Sequence, residues 1–360
     1  MKKHLALLLA TSLVTLVGCW GGSDENNGNS QVPATDDTPA FSLTWSEYPS
    51  WSVFGVAHEK GLINGKEGVL GPIEQKWGVD LVLKEADYDS CITLFGSNTV
   101  DASCHTNMDA LAPGLGRDSV VILPTSTSVG ADACIVVGDL DIESLKGVPT
   151  YGLEKSVAQY AFVRNLQKQG KNPADYPFKN MDPAAASQAM QTNQENIQSI
   201  QVWNPFVLQT LRTRDGSKVL FDSSTIPEEI IDCVVIGKDV LERPKGEEFA
   251  CCVIDTYYSV CRLLEDPEEG DATLVALGEK FSNLGLEDMK LVVQQTRFYD
   301  TPDKALGLFN DASFQNDTMP TVVQFCLDNG IVDKQPSVAF DQPAQVSFTT
   351  KYIERVKSGK

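Results

Sequence analysis

Hydrophobic positions along this chain switch repeatedly between two periods. In AFSLTW, residues 40–45, they alternate, as one buried face of a strand requires. In SWSVFGVAHEKGLI, residues 50–63, Trp51, Phe54, Gly55 and His58 recur at helical spacing, and Gly61 marks a helix end. WGVDLVLKEAD (77–87) then predicts a second strand. CITLFGSN (91–98) predicts a helix stopping near Asn98, and TVDASCHT (99–106) a short strand with its outgoing loop. NMDALAPGLG (107–116) begins another helix, and DSVVILPTS (118–126) is the next strand. Strands alternating with helices predict a parallel sheet covered by helices.

A second set follows. DIESLKGVPTYG (141–152) leads into SVAQYAFVRNLQKQG (156–170), an amphipathic helix ended by Gly170. DPAAASQAMQTN (182–193) reads as helix, IQSIQVW (197–203) as strand and NPFVLQTLRT (204–213) as helix with Pro205 at its first position. SKVLFDSSTIP (217–227) and IDCVVIGKDVL (231–241) are strands again, and four helical segments fill residues 246–330. The expected plan is an α/β chain of two lobes. The first runs from 41 to 128, the second from 129 to 226, and a return strand with a helical tail occupies 227–360. Crossings near 124–130 and 222–227 carry Ser, Thr, Pro and Gly, which suits a two-strand hinge, with Asp222, Ser223 and Ser224 as hinge residues.

The first 40 residues lie outside this pattern. Lys2 and Lys3 precede an apolar run, Leu5 to Leu16, that is too short to span a bilayer. It ends at Leu16-Val17-Gly18-Cys19, which resembles the bacterial lipobox. That resemblance implies a signal peptide over 1–18, cleavage before Cys19, and lipidation of Cys19 as the mature N-terminus. Residues 19–40 hold almost no apolar side chains and are expected to form a flexible tether. The folded body is then anchored to a membrane, outside the cytoplasm, rather than threaded through one.

Composition narrows the classes of partner. The formal charge of −20 argues against nucleic acid, whose phosphates it would repel. Eight cysteines remain after Cys19, without CxxC or other metal-type spacing, so no metal or cofactor is expected. In FACCVIDTYYSVC, residues 249–261, Ala250, Ile254, Tyr257, Tyr258 and Cys261 fall at helical spacing, which reads as core. His105 beside Cys104 makes no catalytic dyad without a third orienting group.

Ligands of open α/β sheets bind beyond the carboxyl ends of strands, at helix starts. Four segments stand there: TWSEYPSW (44–51), CHTNMDAL (104–111), YGLEKSVAQ (151–159) and QVWNPF (201–206). They bring Trp45, Glu47, Tyr48, Trp51, Thr106, Asn107, Glu154 and Trp203 toward one cleft, with Asp132 at the crossing. Thr106 or Asn107 suits an N-cap, as does Asn204, and Trp51 also suits the core. The aromatics would wall a small flat solute. A carboxylate such as Glu47 would pair with a guanidinium or accept from urea N–H groups. Convergence of Glu47, Asp132 and Glu154 would indicate a cation. Carboxylates turned away, with backbone N–H groups facing the cleft, would indicate an anion.

These same stretches carry a family resemblance. WSEYPSWSVFGVAHEKGLI, VDASCHTNMDAL, STSVGADACIVV, SLKG, VWNPF and FDSSTIPEEIIDCVVIGKD, in that order, resemble the solute-binding proteins of ABC importers for nitrate, sulfonates and taurine. TNMDAL, VWNPF and FDSSTIPEEIID are similar to one branch, the binding proteins encoded beside urea carboxylase genes. The resemblance implies a two-lobed type II periplasmic-binding-protein fold. It implies no catalysis, and capture of one urea- or guanidine-like solute by a monomer that docks on a membrane permease with a cytoplasmic ATPase. Nitrate, a sulfonate such as taurine, or a pyrimidine-like compound is the alternative ligand. An enzyme like the fungal thiamin-pyrimidine synthases and an envelope sensor are alternative functions. Cys104 and His105 depart from the small residues expected beside TNMD.

Overall fold

The computed structural model describes residues 31–194 and 197–359. The expected signal peptide, Cys19 and residues 20–30 of the expected tether lie outside the described residues. The first stretch contains β1 (Val32–Pro33), β2 (Ala40–Trp45), α1 (Val53–Glu59), β3 (Val69–Leu70), α2 (Pro72–Trp77), β4 (Asp80–Glu85), α3 (Tyr88–Gly96), β5 (Ala102–Thr106), α4 (Leu111–Gly114) and β6 (Ser119–Ser128). The middle contains β7 (Asp132–Val137), β8 (Thr150–Gly152), α5 (Val157–Lys168), β9 (Phe178–Asn180), α6 (Pro183–Gln191), β10 (Ser199–Trp203), α7 (Phe206–Thr213) and β11 (Ser217–Asp222). The remainder contains β12 (Ile231–Gly237), α8 (Lys238–Leu241), α9 (Gly246–Glu265), α10 (Gly270–Ser282), α11 (Leu286–Gln295), β13 (Thr296–Phe298), α12 (Pro302–Phe309), α13 (Met319–Asp328), β14 (Val338–Phe340), β15 (Val346–Phe348) and α14 (Lys351–Lys357).

These strands build two main sheets. One runs β14-β15-β6-β12-β5-β2-β4, with β13 paired to β6, and the other runs β11-β7-β10-β8-β9. Neither is purely parallel, contrary to the expectation from alternation. β12 is antiparallel to both β5 and β6, and β7 is antiparallel to β10 and β11. The cause is the route of the chain. β7 leaves the hinge where β6 ended, and β12 re-enters the first sheet from that same end, so each runs against its neighbours.

Two passages join the sheets, at 129–131 and 223–230, and hydroxyl groups stitch them together. Ser128 Oγ and Ser223 Oγ are 2.6 Å apart, and Gly130 N–H donates to Ser223 Oγ at 2.8 Å. Gly130 has φ of 97°, a conformation that a side chain disfavours, so the bend at this passage selects glycine. Part of the expected tether is also held in place. Val32 and Pro33 pair with Leu70 and Val69, and Ala34 N–H donates to Gly68 O at 3.0 Å.

The core centres on α9, whose apolar residues recur on more than one face, so helices and sheet surround it. Phe249 stacks on Phe41 of β2 with centroids 4.7 Å apart, and both are fully covered. Burying one such ring contributes about 3 kcal/mol, and truncating Phe249 to alanine should cost about 3–5 kcal/mol. The eight described cysteines are all buried and unbridged, Cys251, Cys252 and Cys261 of α9 among them. Among the described residues no helix is long and apolar enough to cross a membrane.

Candidate functional site

A cleft of about 700 Å³ opens where the carboxyl ends of β2, β4, β8 and β10 face one another across the two passages. Its aromatic wall grows from three of these exits. Tyr48 and Trp51 follow β2, Tyr88 opens α3 after β4, and Trp203 ends β10 on the opposite sheet. Tyr48 and Trp51 lie 5.0 Å apart, Trp51 and Tyr88 stack at 5.5 Å and 12°, and Tyr88 meets Trp203 edge-on at 6.2 Å. The four rings form one chain that crosses from lobe to lobe.

The polar lining has one sign. Glu47, Glu85, Asp87 and Asp89 edge the cleft from the first sheet, Asp182 from the second, and Asp132 and Asp232 lie at its base. Among the described residues lining it there is no Lys, Arg or His. No group of three or more His, Cys, Asp or Glu among the described residues is arranged to hold a metal ion.

The two basal carboxylates are buried, and among the described residues neither is paired with a Lys or Arg. Asp132 stands at the first position of β7 and accepts from Ser128 Oγ at 2.6 Å. Burial pushes its pKa up to about 6, against the Ser128 hydrogen bond and with help from the negative charge of Asp109. Asp232, the second residue of β12, accepts from Ser126 Oγ at 2.5 Å. Burial again dominates and raises its pKa well above the carboxylate range, with Asp132 adding to the rise and Ser126 and Tyr48 opposing it. Serine hydroxyls orient these groups without neutralising them. A cation in the cleft would do so, and would pull both pKa values back down.

Two helix starts at the cleft carry carboxylate caps. Asp87 caps α3 by accepting from Ser90 N–H at 2.9 Å, and Asp182 caps α6 by accepting from Ala185 N–H at 3.0 Å. At α5 the Ser156 hydroxyl takes the Ala158 N–H at 3.2 Å. Burial raises the pKa of the nearby Asp109, a residue of the other lobe, to about 6, against the hydrogen bonds from Tyr88 and Thr106. The starts of α3 and α6 therefore already face a negative charge, whereas α7, whose first residue Phe206 lines the cleft, has no side-chain cap.

Of the nine residues expected at the cleft, six line it: Glu47, Tyr48, Trp51, Thr106, Asp132 and Trp203. Glu47 sits exposed at the rim, where partial burial and then the charge of Glu85 raise its pKa. Thr106 caps its turn by accepting from Asp109 N–H at 3.1 Å. Three residues lie elsewhere. Trp45 is core, its ring packed against Gly55, where an added Cβ would come within 3.1 Å of it. Asn107 is fully buried and closes the second passage instead, donating to Glu229 O at 3.2 Å and accepting from Ile231 N–H at 3.1 Å. Glu154 is exposed, and only its backbone N–H is engaged, by Asn180 at 3.0 Å. Asn204 does not cap α7; its amide donates to Gln295 at 2.8 Å, and Pro205 takes the N-cap place.

Sequence reasoning missed Tyr88, Asp109, Asp182 and Asp232. Asp87-Tyr88-Asp89-Ser90 carried a cap signal that moves the start of α3 ahead of Cys91, and Asp182-Pro183 carried another. Asp232 had no local signal, because its neighbours read as an ordinary buried strand.

No protein-family model matches the chain, and no curated protein matches it in sequence. Solved structures do resemble it in shape. The periplasmic aliphatic sulphonate binding protein SsuA from Escherichia coli superposes with a TM-score of 0.63 at 15% identity, over 82% of this chain and 89% of that one. A Candida albicans protein of the generic periplasmic binding protein fold gives 0.60 at 13% identity, over 82% and 92%. The chain has the two-lobed periplasmic-binding-protein fold. The nitrate-binding protein NrtA from Synechocystis PCC 6803 gives 0.53 at 13% identity, over 80% and 86%. Identities this low establish the architecture and leave the ligand to the chemistry of the cleft.

Proposed function

We propose that this chain is an extracytoplasmic solute-binding component of an ABC importer, without catalytic activity. It captures a small nitrogen-rich cation of the guanidine type between its lobes and delivers it to a membrane permease with a cytoplasmic ATPase. The fold supports the capture role, and the neighbouring sulfonate- and nitrate-binding structures support the transport setting. One observation carries the sign of the ligand: the cleft holds two buried carboxylates and a carboxylate rim, with no basic side chain in its lining. Aromatic faces add to this, since a planar cation on a ring gains about 0.5–2 kcal/mol, and a guanidinium fits a carboxylate with two parallel hydrogen bonds. Lipid anchoring through Cys19 would hold the body near the permease.

A second reading keeps the nitrogen-rich class but makes the solute neutral. A neutral solute such as urea would give N–H groups to the carboxylates and lie on the same ring faces. Thermal-shift measurements with guanidinium, urea, nitrate, taurine and a pyrimidine separate these readings. Guanidinium should raise the melting temperature by several degrees, and the anions should leave it unchanged. Stabilisation by nitrate or taurine without any by guanidinium or urea would overturn the proposal.

A further inference from the structure

Asp132 opens β7 directly after the first passage, and it lines the cleft. Ser128, the last residue of β6, donates its hydroxyl to Asp132 Oδ2 at 2.6 Å. Ser128 Oγ also lies 2.6 Å from the hydroxyl of Ser223, the first residue of the second passage. Both serines are buried, and neither lines the cleft. Proton counting sets the direction of these bonds. A hydroxyl has one proton to give and two lone pairs to accept with, and an ionised carboxylate only accepts. The Ser128 proton is therefore committed to a charged Asp132, and the proton between the two serines must come from Ser223. Backbone donors fill the remaining lone pairs. Asp132 N–H reaches Ser128 Oγ at 3.2 Å and Ser223 Oγ at 3.4 Å, and Gly130 N–H reaches Ser223 Oγ at 2.8 Å. The other basal carboxylate is served differently. Ser126 has one proton and two acceptors, Asp232 Oδ2 at 2.5 Å and Ser50 Oγ at 2.8 Å.

We propose that Ser223 is a positioning residue for the solute: acting through Ser128, it holds Asp132 as an ionised acceptor without touching the ligand. Donation in series polarises the Ser128 hydroxyl and strengthens its bond to the carboxylate. The two serines belong to different passages, so Asp132 receives this support only while the passages keep their spacing. Capture of a cation at Asp132 and the geometry of the hinge are thereby linked. That link to capture rests on the cation reading of the cleft; the effect on Asp132 itself does not.

Ser223→Ala and Ser224→Ala are compared in the full chain. Ser224 is the control, because its exposed hydroxyl bonds Asp222 instead. Carbon-13 NMR follows the Asp132 carboxyl of the empty protein with pH. Ser223→Ala should raise its apparent midpoint by about half a unit or more, and Ser224→Ala should leave it in place. Asp109, Asp232 and Tyr48, which interact with Asp132 through charge, are the same in both variants. Calorimetry with guanidinium then reads capture. Ser223→Ala should weaken binding roughly fivefold, and the same change made in Asp132→Asn should alter it by less than about twofold. Should Ser223→Ala fail to fold, Ser223→Cys, whose thiol is a weak donor, takes its place. An unmoved Asp132 midpoint overturns the inference, as does an equal loss of affinity with and without the Asp132 carboxylate. The two proposals fail separately. A parent chain that ignores guanidinium, beside a shifted midpoint in Ser223→Ala, removes the cation reading alone. A parent that binds guanidinium, beside an unmoved midpoint, removes this inference alone.

Discussion

Glu229 and Asp232 stand three residues apart at the second passage, both almost fully buried, and the protein treats them in opposite ways. Glu229 receives a two-bond fork from Arg164, at 2.7 and 2.9 Å, and a further hydrogen bond from Tyr160 OH at 2.6 Å. Burial raises its pKa, but the Arg164 and Tyr160 hydrogen bonds and the Arg164 and Lys168 charges outweigh it, and the net shift is downward. Asp232 receives only neutral partners, and its pKa rises. Asp132 across the cleft is treated like Asp232. Where a buried charge serves the fold, the chain supplies its counter-charge. Where the counter-charge is missing, the empty protein bears the cost as reduced stability, and a positive partner in the cleft would remove it.

That contrast can be broken from either side. The largest effect is expected at Glu229. Glu229→Gln leaves Arg164 half-buried without its carboxylate and should cost about 3 kcal/mol in denaturant unfolding, with guanidinium affinity changed far less. Asp232→Asn comes next. It should lower guanidinium affinity roughly 100-fold, about 2.7 kcal/mol, while the melting temperature of the empty protein rises by a few degrees. A variant that loses stability along with binding would make Asp232 a structural residue like Glu229.

The pH dependence follows with its sign. Asp109 and Asp132 have folded pKa values of about 6, above the ordinary carboxylate value. Their contribution to stability is full below that ordinary value and is lost as pH rises toward and through 6. Binding has the opposite sign, because a cation needs the ionised form. Guanidinium affinity should fall roughly tenfold between pH 7 and 5 for each carboxylate at the contact, measured at constant ionic strength. Smaller changes belong to the rim. Trp203→Ala should weaken binding about tenfold through one lost ring face, and Glu47→Gln less than about threefold, since Glu47 is exposed and screened.

Much of this fold was legible in the order of apolar periods. β2, α1, β4, α5, β10 and β12 fall where alternation and helical spacing put them, because each buries one face or two. β13, β14 and β15 were not legible, since three residues cannot show a period and these strands form only by pairing to β6 or to each other. The aromatic wall was legible because TWSEYPSW follows a strand. Trp45 was misplaced because a strand's last residue can face core or cleft, and only packing on Gly55 decides. Asn107 was misplaced because a polar residue at a strand end suits a ligand and a buried backbone equally. Asp232 draws its meaning from Asp132, far away in the chain, and no local pattern carries that.

The central claim is that the cleft waits for a positive charge, and counting protons on binding tests it most directly. Guanidinium is titrated into the protein at pH 6 in two buffers of different ionisation enthalpy. Binding at one site per chain should release protons, as Asp132 and its neighbours ionise against the ligand. Binding without proton release, or nitrate and methanesulfonate binding with proton uptake while guanidinium gives no heat, would contradict it.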